Sequence, residues 1–238
     1  MEDKMSYMSE KFCNANFTFT KEQERKFYTF YEMLLEWNKV MNLTAITEFT
    51  EVVNKHFLDS IYLNRVADLN QPLHILDLGT GAGFPGIPLK IAFPDIKITL
   101  VDSLNKRVGF LDKVISELGL TFIDTIHARA EDLANDKLYR EKYDLCVSRA
   151  VANLCTLQEY CIPFVKIGGK FISYKSGNIK SEVDESKKAC FLLGGKLKEV
   201  VNFDIENNNR SFVVIDKIRK TPKNFPRKAG IPSKNPLK

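Results

Sequence analysis

The chain has 238 residues, 44% hydrophobic and 27% charged, with a formal net charge of +5. That is enough for one substantial core with a small added module. It excludes a helical membrane protein, because no apolar run nears the roughly 20 residues that a span requires.

The first residues, "MEDKMSYMSEKFCNANF", lack the apolar centre of a secretory signal. Thr20-Lys-Glu-Gln23 has the spacing of a capping box and predicts a helix start. Phe27, Phe30, Tyr31, Leu34 and Leu35 then recur at helical spacing, until Asn42 and Thr44 interrupt. A second helical pattern sets Val52, Val53, Phe57 and Ile61 on one side. Residues 1–70 therefore read as a helical N-terminal unit.

The character changes at residue 71. "LHILDL" (73–78), "IKITLV" (96–101), "TFIDTIHA" (121–128), "YDLCVS" (143–148) and "GKFISYK" (169–175) are short, apolar and partly β-branched, with stretches of helical length between them. Strand alternating with helix predicts an α/β domain over 71–219 with a parallel sheet covered on both faces. Its ligand should lie at the carboxyl ends of the strands. "LKEVVNFDI" (197–205) and "RSFVVIDKI" (210–218), joined by "ENNN", are so closely linked that they must pair antiparallel.

From Lys217 to the end there are eight basic residues and no acids. They exceed the whole chain's +5, so the remainder carries a net −3. Pro222, Pro226, Pro232 and Pro236 predict an extended, basic C-terminal tail over 220–238, without a helix. Such a segment suits either phosphate neutralisation on a nucleic acid or a solvated terminus. Five scattered cysteines without a C-x-x-C pair point to reduced, mostly buried thiols in a cytoplasmic protein, with no metal site.

The chemistry concentrates in "ILDLGTGAGFPGIPLK" (75–90). Gly81, Gly83 and Gly86 fit G-x-G-x-x-G, a weak signal for a nucleotide alone. Gly79, Gly81 and Gly83 permit close backbone approach of a ligand, and the helix after Gly86 would direct free N–H groups at it. Three features oppose a pyrophosphate: the like charge of Asp77 at the strand end, the bulk of Phe84 and Pro85, and the terminal hairpin. Asp102 closes the next strand, where a carboxylate suits the two hydroxyls of a ribose. Asp77 would welcome a cationic adenosine such as S-adenosylmethionine. Both acids could instead cap nearby turns. In "HARAED" (127–132) Ala130 and Glu131 could flank an adenine, or Glu131 and Asp132 could simply begin a helix with acids. In "VSRAVANL" (147–154) Arg149 has a fork able to hold a carboxylate, a phosphate or a guanine edge, or to pair with a nearby acid. Lys106 and Arg107 could add to a basic surface or be solvated charges.

Together, "NLTAIT", "HFLDS", "LDLGTGAGFPGIPL", "VDSLNKRVGFL", "ARAED", "SRAVA" and "FPRKAGIPSKNPL" resemble the glucose-inhibited division protein B (RsmG) family, from Asn42 onward. The resemblance implies a class I methyltransferase fold: a seven-stranded, mostly parallel sheet with a reversed last strand and a helical N-terminal extension. It implies methyl transfer from S-adenosylmethionine to N7 of one guanine in 16S ribosomal RNA of the small subunit. It carries cofactor contacts onto Gly79, Phe84, Ala130, Glu131 and Arg149, with Asp77, Gly81, Gly83 and Asp102 joining them from the loop argument. Arg149 is the expected catalytic residue. Guanine N7 has a free lone pair, so alignment and exclusion of water suffice, and His56, His74 and His127 need not be catalytic. A monomer that uses neither metal nor membrane is expected. The competing readings are a dinucleotide-dependent oxidoreductase, a non-catalytic RNA-binding protein with a nucleoside pocket, and a small-molecule methyltransferase.

Overall fold

Residues 2–238 are described by a computed structural model. Helices α1 (Glu2–Asn14) and α2 (Lys21–Met41) open the chain. The capping box forms as its spacing demands. Thr20 Oγ1 accepts from Gln23 N–H at 3.2 Å, and the Gln23 side chain accepts from Thr20 N–H at 3.0 Å. Asn42 ends α2 in the left-handed region, at φ +49°. Helix α3 (Phe49–Val52) then runs through a π-helical turn (Val53–Leu58) into α4 (Asp59–Ile61). Val52, Val53, Phe57 and Ile61 are all 0% exposed, as their spacing predicts. The wide turn shifts the helical phase, and Lys55, His56 and Asp59 all line one cavity.

Seven strands follow: β1 (His74–Leu78), β2 (Lys97–Asp102), β3 (Ile123–His127), β4 (Tyr143–Arg149), β5 (Val165–Ser176), β6 (Gly195–Ile205) and β7 (Asn208–Lys217). Their order is β3-β2-β1-β4-β5-β7-β6. All neighbours from β3 to β5 are parallel, and β7 runs antiparallel to both β5 and β6. The β6–β7 turn places Glu206 and Asn207 at φ +49° and +62°, a backbone twist that matches paired strands. Strands β1 to β5 alternate with α5 (Gly86–Ala92), α6 (Asn105–Glu117), α7 (Ala130–Leu133) and α8 (Leu154–Cys161); α9 (Lys180–Glu185) and α10 (Lys187–Leu192) precede β6.

The N-terminal helices share one hydrophobic core with α5, α6 and one face of the sheet. The other face packs mainly on α8, α10 and the residue Phe225. Helix α2 is tied to the loop helix directly: the Gln23 amide donates to the carbonyls of Ile91 and Ala92 at 2.9 and 3.2 Å. Strand order reverses between β1 and β4, so a crevice opens at their carboxyl ends.

The C-terminal segment departs from the expected extended tail. It contains a one-turn helix, α11 (Ile231–Lys234), with Pro232 in its first turn, where a missing N–H costs nothing. Phe225 and Pro232 are buried. Arg140 donates to the carbonyls of Thr221, Pro222 and Phe225 at 2.9 to 3.2 Å. Lys217, Arg227 and Lys238 are paired with Glu141, Glu159 and Glu185. The acids that pair with these three residues lie far away in the sequence, so local charge and proline content could suggest only an extended tail.

Candidate active site

The loop after β1 is organised by its acids. Asp77 is 0% exposed. Its Oδ2 accepts from Thr80 Oγ1 at 2.6 Å and from Gly86 N–H at 2.8 Å. Burial pushes its carboxyl up to about 6, against those two hydrogen bonds. A side chain at Gly86 would meet Leu100 at 2.2 Å and Asp77 Oδ2 at 2.9 Å, so only glycine lets the carboxylate reach the helix start. Ile87 N–H donates to Gly83 O. The first donors of α5 are therefore committed inside the protein, and the expectation of free N–H groups aimed at a ligand is corrected. The helix start offers no phosphate seat.

Asp102, 3% exposed, pins the same loop from the next strand. Its Oδ2 accepts from Gly81 N–H and its Oδ1 from Leu104 N–H, both at 2.9 Å, and Arg107 lies 3.4 Å away. Gly81 stands at φ +62°, and a Cβ there would meet nothing within 4 Å, so the backbone faces open space.

Two adjoining cavities flank the loop. One, of about 180 Å³, is lined by Gly79, Asp102, Ala130, Glu131, Val151 and Tyr160 among others. The other, of about 350 Å³, is lined by Lys55, His56, Asp59, Arg149, Lys175 and Arg210, with Tyr174 and Ala150. The β4 loop divides them: Ala150 lines one and Val151 the other. Ala150 sits at φ +56°, a conformation alanine rarely adopts.

The sequence-derived candidates thus separate. Gly79, Asp102, Ala130 and Glu131 converge on the smaller cleft. Asp77, Gly81 and Gly83 build the loop beside it. Phe84 turns its ring away: it packs on Phe30 at 5.3 Å, stacks with His56 at 4.5 Å and carries the Arg149 guanidinium at 5.0 Å. Arg149 belongs to the larger cavity. Its Nη1 donates to Asp59 Oδ2 at 2.8 Å and to Lys55 O at 3.3 Å, and its Nη2 lies 3.3 Å from His56 Nδ1. The ion pair with a nearby acid, one of the two readings of Arg149, is present. Arg210 reaches the other Asp59 oxygen at 3.2 Å. Burial, then the charge of Arg149, drives His56 down to about 3, so its ring is neutral near pH 7.

From its sequence position His56, in a helix beside Asp59, could either line the mouth of the site or be a packed, hydrogen-bonded histidine; it lines the larger cavity and is also hydrogen-bonded. Other lining residues escaped sequence reading, and nothing local announces the meeting of Asp59 with Arg149. Arg210 belongs to a hairpin that looks purely structural. Its place follows from register: Arg210 pairs with Ser176 at the carboxyl end of β5. Val151 and Tyr160 read as ordinary loop and helix residues.

The donor set fits a cationic adenosine. Asp77 Oδ1 is buried without a hydrogen-bond partner among the described residues, and Asp102 retains lone pairs beside the open backbone of Gly81.

The family model described as "rRNA small subunit methyltransferase G" matches residues 23–213. A curated relative of that name from Clostridium perfringens is 47% identical over 234 residues, 97% of this chain and 98% of the relative. Another, from Desulforamulus reducens, is 52% identical over 223 residues, 93% of each chain. Among solved structures, TrmN from Thermus thermophilus superposes with a TM-score of 0.52 at 15% identity, over 70% of this chain and 53% of that one. A mutant of MtNAS in complex with S-adenosylmethionine superposes at 0.57 and 14% identity, over 90% and 78%. At those identities the likeness is one of fold.

Proposed function

The chain belongs to the rRNA small subunit methyltransferase G family, and from that premise we propose that it transfers a methyl group from S-adenosylmethionine to N7 of one guanine in 16S ribosomal RNA. The observation that carries this reading is the pairing of the two cavities across Ala150 and Val151. One presents the carboxylates of Asp102 and Glu131 and the backbone of Gly79, on which Val151 packs closely. The other presents four cations and a single lining acid, Asp59.

Gly79, Asp102, Ala130 and Glu131 would hold the adenosine portion, with Asp102 accepting from the ribose hydroxyls. Asp77, through its unpartnered Oδ1, would favour the positive end. When bound, S-adenosylmethionine supplies a methyl group already activated on a sulfonium. The protein then has no proton to remove, since guanine N7 presents its lone pair directly. His56 suits that chemistry by remaining neutral and unreactive as a base. Arg149, fixed by Asp59 and stacked on Phe84, would direct a donor of its fork at the guanine edge. Lys175 and Arg210 would meet the flanking phosphates. Positioning of this kind can lower a barrier by several kcal/mol, about 7 or more in the best cases. The reading extends to a monomer that works in the cytoplasm, where its ribosomal RNA substrate would be met.

The dinucleotide alternative loses its footing at α5, whose first N–H groups are taken. Ligand-induced thermal stabilisation separates the two readings. S-adenosylmethionine at about 100 times its Kd should stabilise the protein by about 2.7 kcal/mol, and NAD should not. Stabilisation by NAD alone would overturn the assignment.

A further inference from the structure

Glu131 and Tyr160 line the smaller cleft, and the C-terminal segment holds Glu131 directly and grips α8, the helix that carries Tyr160, through Glu159 and Thr156. Gly230 N–H donates to Glu131 Oε1 at 3.0 Å. Arg227 closes on Glu159, the neighbour of Tyr160 in α8. Its backbone N–H and its Nε donate to Glu159 Oε1 at 2.8 and 2.9 Å, and its Nη2 donates to Oε2 at 2.6 Å. Glu159 is 0% exposed. Arg227 Nη2 also donates to Asn235 O at 2.8 Å, which closes a loop around α11, and Thr156 Oγ1 donates to Pro232 O at 3.0 Å. One strap therefore grips the start of α7 and the length of α8.

We propose that residues 225–235 form an outer wall of the cofactor cleft, in which Arg227 and Gly230 are positioning residues that hold Glu131 and Tyr160 in place for the adenosine. The inference rests on the cofactor reading of that cleft. The grip on Glu159 needs a planar fork, because one group must satisfy both carboxylate oxygens and a backbone carbonyl at once. Without Arg227, Glu159 is a buried carboxylate lacking its cation, and α11 loses the bond that ties it back. Gly230 then drifts from Glu131. Coupling of this kind is reciprocal, so a ligand in the cleft must also tighten the strap.

Calorimetric titration of S-adenosylmethionine into the unaltered protein comes first; absence of binding there would defeat the cofactor reading itself. Given binding, Arg227→Ala should weaken S-adenosylmethionine affinity at least tenfold and Arg227→Lys should restore it only in part. Affinity for a small-subunit rRNA transcript should change less than twofold in both. Lys113→Ala, at an exposed position on α6, should alter neither. Cofactor affinity within twofold of the parent in Arg227→Ala would make the strap a matter of stability alone. Lost RNA affinity with unchanged cofactor affinity would make it an RNA grip. Both contradict the proposal. Should Arg227→Ala not fold, hydrogen–deuterium exchange on the unaltered protein decides: protection over 225–235 must rise when S-adenosylmethionine is added, and unchanged protection overturns the inference.

Discussion

Asp59 is held between two guanidinium groups, Arg149 at 2.8 Å and Arg210 at 3.2 Å, with only 5% of its side chain exposed. This shapes what Arg149→Ala should do. Removal of a partner from a buried pair normally leaves a stranded charge and costs about 3–5 kcal/mol. Here Arg210 remains on the carboxylate, so the expected stability loss is about 1–3 kcal/mol by urea titration. Methyl transfer should fall by a factor of about 100 or more, as when one fixed donor is lost from an active site. Near-parental turnover would remove Arg149 from its role. His56 makes a second residue-level prediction. Its folded value near 3 lies below the ordinary value of 6.5. The unfolded chain thus binds the extra proton between those limits, and this group's contribution to stability is full above about pH 6.5 and declines as pH falls toward 3. His56→Gln should flatten that acid-side decline in urea melts at successive pH values. It should leave no new pH dependence of turnover between about pH 7 and 8, because the neutral ring carries no proton to lose there.

At the scale of elements, one side chain joins the N-terminal helices to the site. Gln23 completes the capping box of α2 and also donates to two carbonyls at the end of α5, the helix that begins at the glycine loop. Gln23→Ala removes all of these together. The expected loss is about 1–2 kcal/mol, a fall in Tm of roughly 3–6 °C by calorimetry. Cofactor affinity should hold, because Asp77 and Asp102 brace the loop independently of α2. The seven strands were legible in the sequence, since each is a short apolar run bounded by turn residues and buried sheets demand that pattern. The capping box was legible for the same reason: its signal lies within four residues. The π-helical turn was not. It is a single shift of helical phase, and it puts Lys55, His56 and Asp59 on one cavity without altering the apolar spacing that marked the segment as helical.

Across the whole molecule, legibility follows the distance over which a partner is chosen. The acid–glycine–acid arrangement from Asp77 to Asp102 could be read because both acids end adjacent parallel strands, and their meeting with the loop follows from topology. Glu131, Ala130 and Gly79 converge on the cleft by the same rule. Arg149 could be placed at the end of β4, but its pairing with Asp59 joins residues 90 positions apart. Arg227 with Glu159 spans 68. Such pairs depend on how layers pack, and charge counts along the chain do not show where they form, as the pairing of Arg227 in the tail illustrates. The molecule that results has a cleft beside the glycine loop, gripped from outside by contacts of its own C-terminal segment with Glu131 and α8, and a cation-lined cavity next to it. The central claim is that the two act together on a guanine. Its most direct test is to incubate 16S ribosomal RNA from cells lacking this activity with the protein and S-adenosylmethionine, and then to map N7-methylguanine by borohydride and aniline cleavage. One new N7-methylated guanine that depends on both protein and cofactor is the predicted result. Methylation at another atom, or none under conditions in which S-adenosylmethionine is bound, would contradict it.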